Sequence, residues 1–155
     1  MSDIEDVIHD MKKKGFLLKV ERDMTDYLSC RIQFSKKRDR LWLGQPYLMK
    51  KMIRKFGSLI SDLSKFKTPS TPGLGMRRPL PEDPDMSNKD KTLYRSGVRM
   101  LLYFVKHLRP DIANVTRELS KVMDRPTPNA IKELKRVIKF VVDTQEKGFN
   151  SIPVK

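Results

Sequence analysis

Leu93-Tyr94-Arg95-Ser96-Gly97-Val98-Arg99-Met100-Leu101-Leu102-Tyr103-Phe104-Val105-Lys106-His107-Leu108-Arg109-Pro110-Asp111 is the stretch around which the chain is organised. Leu93, Gly97, Leu101, Phe104, Val105 and Leu108 recur at steps of three and four, the spacing of one buried face on an α-helix. This predicts a core helix. Ser87 or Asn88 caps its start, Asp90 suits the positive end of the helix dipole, and Arg109-Pro110 stops it because proline disfavours helical geometry in the residue before it. Asp111-Ile112 opens a second helix, with Ile112, Val115, Leu119, Val122 and Met123 inward and Arg117 and Lys121 outward. Thr127-Pro128 starts a third, with Ile131, Leu134, Val137, Ile138, Val141 and Val142 buried and Lys132, Lys135, Arg136 and Lys139 on the opposite side.

Upstream, Ser2 and Glu5 have capping-box spacing, Ile4, Val7, Ile8 and Met11 make an apolar stripe, and Gly15 ends a short amphipathic helix. From Phe16 the period changes to alternation, with Phe16, Leu18 and Val20 on one face: a strand. A polar turn over 22–26 leads to a second strand carrying Leu28, Cys30, Ile32 and Phe34, and the basic tip 35–40 returns the chain into Leu41-Trp42-Leu43. The last two strands form a hairpin. Gln45-Pro46 then starts a helix whose face is Leu48, Met49, Met52, Ile53 and Phe56, with Lys50, Lys51, Arg54 and Lys55 opposite and Gly57 closing it. Residues 68–86 hold Pro69, Pro72, Pro79, Pro81 and Pro84, half of the chain's ten prolines, and no sustained period. They predict an extended, mobile linker.

The expected class is α+β: a small antiparallel sheet with flanking helices over 1–67, the linker 68–86, a three-helix lobe over 87–148, and a tail 149–155. A net charge of +14, from 33 Lys and Arg against 19 Asp and Glu, favours a polyanionic partner. Nucleic acid is expected rather than membrane, since no apolar run approaches the roughly 20 residues of a span. The acidic start does not resemble a secretory signal, and the single Cys30 offers no internal disulfide partner, so an intracellular setting, cytoplasmic or nuclear, is expected.

Leu93 to Val98, Met100 to Tyr103 and Arg109-Pro110-Asp111-Ile112 resemble the "LYRS-V-G-LLY…RPDI" signature of reverse transcriptases of copia-type LTR retrotransposons. Tyr27-Leu28-Ser29-Cys30, Leu43-Gly44-Gln45, Thr68-Pro69, Lys135-Arg136-Val137-Ile138 and Asp143-Thr144 agree in the same order and at compatible spacing. The resemblance implies a C-terminal palm remnant, a basic hairpin in the place of the primer grip, and a helical lobe in the place of the thumb and connection. It implies a template-primer partner, RNA/DNA hybrid or duplex DNA, and an upstream polymerase part. The expected phosphate contacts are Lys36, Lys37, Arg38 and Arg40 on the hairpin and Lys132, Lys135, Arg136 and Lys139 on the third helix. Tyr94, Arg95, Ser96, Arg99, Arg109, Pro110 and Asp111 carry the signature. Arg99 replaces a glycine of the family on a helix that approaches the duplex, so it either adds a phosphate contact or obstructs, with obstruction favoured. Leu28-Ser29 has also lost a glycine.

Two-metal nucleotide addition needs convergent carboxylates holding ions about 3.5–4 Å apart. In the family these include a Tyr-X-Asp-Asp motif, supported by Mg2+, which the resemblance places upstream of residue 1. The chain has no adjacent aspartates, and neither Asp23 with Asp26 nor Asp83 with Asp85 has the strand context to position them. His9 and His107 lack partners at zinc-ligand spacing, and no Gly-rich phosphate loop occurs. The expectation is a duplex-holding fragment with no catalytic or metal residues and no cofactor of its own, inactive as a polymerase alone. The alternatives are a decayed element remnant without selected function and a stand-alone basic nucleic-acid-binding module.

Overall fold

The computed structural model describes residues 2–20, 25–27, 30–37, 40–147 and 149–151. In chain order the elements are α1 (Ser2–Lys13), β1 (Asp26–Tyr27), β2 (Cys30–Phe34), β3 (Leu41–Gly44), α2 (Pro46–Ile60), α3 (Asn88–His107), a 3-10 turn (Pro110–Ile112), α4 (Ala113–Ser120), α5 (Pro128–Asp143) and β4 (Phe149–Ser151). The class is α+β, as the sequence predicts.

Local chemistry explains the helix ends. Ser87 Oγ accepts from the Asp90 N–H at 3.1 Å and donates to the Asp90 carboxylate at 2.6 Å, closing a reciprocal cap on α3. Thr127 Oγ1 accepts from the Ala130 N–H at 3.2 Å on α5, where Pro128 occupies the first turn. Such caps contribute about 1 kcal/mol each. Pro46 begins α2 in the same way. That helix does not close at Gly57: it runs on to Ile60, because Ile60 is buried in the core and gives the last turn something to pack against.

A single core joins α2 to α3, α4 and α5. Met52, Phe56, Tyr94, Val98, Leu101, Ile112, Leu119, Val137, Ile138 and Val141 form one buried cluster. On α3 the deepest positions are Tyr94 and Val98 together with the expected Leu101, whereas Leu93 and Val105 are half-buried. Burying a phenol at that depth is made tolerable by its hydroxyl, which donates to the Leu119 carbonyl at 2.8 Å. Gly97 lets the helices approach: a Cβ there would stand 2.9 Å from Leu134 Cδ2 and 3.2 Å from Phe56 Cζ.

The sheet is antiparallel with order β1-β2-β3-β4. The β2–β3 hairpin pairs Phe34 with Leu41 and Arg31 with Gly44. Of the strand expected to carry Leu28, Cys30, Ile32 and Phe34, the described part is β2 from Cys30, and Tyr27 of β1 pairs antiparallel with Cys30. Leu28 and Ser29 lie outside the described residues, as do Arg22, Asp23, Met24 and Gly148 and the Ser2 side chain of the expected cap. The tail contributes β4, with Phe149 opposite Leu43 and Ser151 opposite Leu41; residues 152–155 lie outside the described set.

Two expectations fail. Residues 16–20 form no strand: alternation specifies a face, but a strand also needs a paired neighbour, and the sheet reaches only to Asp26 on that side. Leu17 is fully exposed, and the stripe of α1 has no buried face, with Ile4 68% exposed. The proline-rich stretch is extended, as expected, but docked. Met76 is buried in the core, its N–H donates to Glu118 Oε2 at 3.1 Å, and Thr71 Oγ1 donates to Glu133 Oε1 at 2.6 Å. Arg125 donates to the carbonyls of Leu80 at 2.7 Å, Pro81 at 3.1 Å and Asp83, and to the Asp85 carboxylate at 3.1 Å. The segment is a strap held down by Glu118 of α4, Glu133 of α5 and Arg125 of the loop between them.

Candidate nucleic-acid interface

The signature residues divide by direction. Tyr94 is buried, and burial raises its phenol pKa far above the ordinary tyrosine range. Arg95 reaches across to the end of α4, donating from Nε to the Met123 carbonyl at 2.8 Å and from Nη2 to the Asp124 carbonyl at 3.0 Å. Arg109 is 3% exposed and makes a bidentate pair with Asp111, both bonds at 2.9 Å. The same guanidinium donates to the Thr144 carbonyl at 3.0 Å and its hydroxyl at 2.9 Å, and lies over the Phe140 ring. Partial burial pushes the Asp111 pKa up, yet the bonds and charge of Arg109 outweigh it and hold the carboxyl below its ordinary value. The Arg109-Pro110-Asp111 and Asp143-Thr144 motifs, distant in sequence, are thus two halves of one joint. It fixes the α3–α4 turn to the end of α5.

Other cations face outward. At the hairpin tip Lys36, Lys37 and Arg40 are exposed, while the turn is closed by the Ser35 N–H donating to the Arg40 carbonyl at 3.0 Å. Arg38 lies outside the described residues. A second cationic surface is a groove of about 580 Å³ between α2 and α3, bordered by Lys51, Lys55, Arg95, Ser96, Arg99 and Tyr103. Lys55 Nζ donates to Ser96 Oγ at 2.6 Å, and Arg99 is exposed. The Tyr103 ring meets His107 edge-on, centroids 4.5 Å apart. The helical spacing of Lys51 and Lys55 puts them on an outward face of α2, and the fold brings that face to Ser96 and Arg99. Their spacing on α2 was visible; the apposition of α2 with α3 was not.

The α5 cations are less free than their helical spacing suggested. Lys132 is exposed and Lys135 half-buried. Arg136 lies 4.5 Å from the Phe66 ring centroid and donates to Thr68 Oγ1 at 3.2 Å, and Lys139 donates to Asp143 at 3.0 Å with both side chains largely covered. Arg136 and Lys139 are therefore structural, not open phosphate ligands. Burial pushes the Cys30 thiol pKa up, with the nearby Gln45 carboxamide opposing in part, so the thiol is not activated.

Among the described residues no three His, Cys, Asp or Glu side chains gather as a metal-holding group, and no helix is long and apolar enough to cross a membrane. No protein-family model, curated protein or solved structure matches the chain.

Proposed function

We propose that this chain is the template-primer-holding part of a copia-type retrotransposon reverse transcriptase, gripping RNA/DNA hybrid or duplex DNA through phosphate contacts. The observation that carries the reading is the division of its cations: Arg95 and Arg109 are spent on internal carbonyls and Asp111, whereas Lys36, Lys37, Arg40, Lys51, Lys55 and Arg99 face outward. The motif order along the chain supports the family. Outward cations on a hairpin tip and in a groove form a surface that positions a backbone without reading sequence. In this reading Arg99 adds a phosphate contact on the groove rim instead of obstructing it, and Tyr103 offers an aromatic edge to the sugar. The chain does not add nucleotides alone, because it lacks the paired aspartates of polymerisation; a partner polymerase part supplies them.

Titration of a fluorescent RNA/DNA hybrid across a salt series tests this. Affinity falls with a log–log slope of about −0.9 for each phosphate neutralised, and Lys51→Ala with Arg99→Ala lowers the slope magnitude by about two. Binding that is indifferent to salt, or an unchanged slope in the double variant, overturns it.

A further inference from the structure

Under the strap, between Phe66 and Thr71 on one side and α5 on the other, lies a cleft of about 440 Å³, within the size range of small-ligand sites. Its floor contains two buried polar atoms with no hydrogen-bond partner: Glu133 Oε2, on a residue 6% exposed, and Arg136 Nε. These two residues are one helical turn apart and do not pair with each other. Glu133 is drawn toward Thr71 and Arg136 toward Phe66 and Thr68. A buried acceptor and a buried donor each left unmade cost roughly 1–3 kcal/mol, more for charged groups, so the arrangement gains from a molecule that satisfies both.

The walls define that molecule. Phe66, whose ring carries the Arg136 guanidinium on one side, and Ile131 are the apolar walls, and Lys132 and Lys135 stand at the rim as ammonium donors. The floor calls for N–H donors facing a carboxylate beside an acceptor facing a guanidinium N–H. Guanine carries this set on one edge, with the N1 and N2 hydrogens toward Glu133 and O6 toward Arg136, while its phosphate reaches the two lysines. We propose that the cleft holds a single unpaired nucleotide, with guanine preferred. A small outward movement of residues 66–71, which release Glu133 at Thr71 and Arg136 at Phe66 and Thr68, opens both floor atoms to it. The proposal deepens the nucleic-acid reading by adding a base-reading site beside the backbone-gripping surfaces, and it rests on that reading for its biological setting.

Calorimetric titration of the full chain with GMP, AMP, CMP and UMP at fixed salt tests it. GMP binds about tenfold more tightly than AMP or UMP, the discrimination expected of a good bidentate base contact. Glu133→Gln, which keeps an acceptor for Thr71, removes that preference. Should this variant fold poorly by circular dichroism, Lys132→Ala with Lys135→Ala serves instead: GMP weakens about fivefold while guanosine, lacking the phosphate, is unaffected. Equal binding of all four nucleotides overturns the proposal. So does uptake of an acidic peptide in place of any nucleotide, or GMP affinity indifferent to both variants. Lys36→Ala with Lys37→Ala and Arg40→Ala weakens hybrid binding but leaves GMP binding intact, so failure of the duplex reading and failure of the nucleotide site are separate results.

Discussion

Residues 16–20 and 68–86 both run without helix or strand, and they behave in opposite ways. Residues 16–20 are rich in apolar side chains, yet Phe16, Leu17 and Val20 are exposed. Residues 68–86 are rich in proline and poor in apolar side chains, yet they lie fastened across α4 and α5. The difference is in what the neighbours offer. The strap receives a guanidinium from Arg125 and carboxylates from Glu118 and Glu133, which satisfy its carbonyls, an N–H and a hydroxyl. Irregular backbone docks when its neighbours supply polar partners for it, and apolar content alone does not suffice.

The comparison is sharpest at Arg125. Arg125→Ala releases three strap carbonyls and Asp85 together, and urea unfolding is expected to lose about 2–3 kcal/mol, with new proteolytic cleavage near Arg77 and Arg78. Unchanged stability and unchanged cleavage would mean that the strap is held by something else. Met76→Ala removes the strap's buried side chain and is expected to cost about 2 kcal/mol, the low end for a buried methionine because the site lies at the core's margin.

Acid acts more gradually. Lys121, and after it the Met76 N–H, hold the Glu118 pKa below its ordinary 4.5, so its contribution is complete above that value and is lost as pH falls through the lower folded-state value. Hydrogen exchange at the Met76 amide should therefore show, after correction for intrinsic rates, less protection in acid than at neutral pH. Glu118→Gln should flatten this dependence. The smallest effect is expected in the other stretch. Leu17→Ser should change stability by no more than about 0.5 kcal/mol, since the side chain has no contact with the core to lose.

Much of the helical part was readable from spacing. The starts at Ser87, Thr127 and Pro46, the stop at Pro110 and the inward faces of α4 and α5 all follow from local chemistry. The depth of Tyr94 is not in the expected face, because it depends on a carbonyl supplied by Leu119, which no local pattern reveals. The strand expected at 16–20 and the freedom expected of 68–86 failed for one reason, since both depend on partners far away in sequence. Among the candidate contacts, Lys36, Lys37 and Arg40 were legible as a turn between paired strands. Arg136 was not, because its partners Phe66 and Thr68, just before the strap and at its start, are far away in sequence. The Lys139 pairing with Asp143 one turn along α5 was there to be read.

The pairing of β3 with β4 has a consequence for the order of assembly. Leu43 and Phe149 are joined across the helical body, so the hairpin gains its outer neighbour only after α2, α3, α4 and α5 have been synthesised. Contacts of such long sequence separation form slowly, and until this one closes the Leu41–Gly44 edge remains open to whatever strand arrives first. A nascent chain is therefore exposed to mispairing from the synthesis of β3 until β4 arrives.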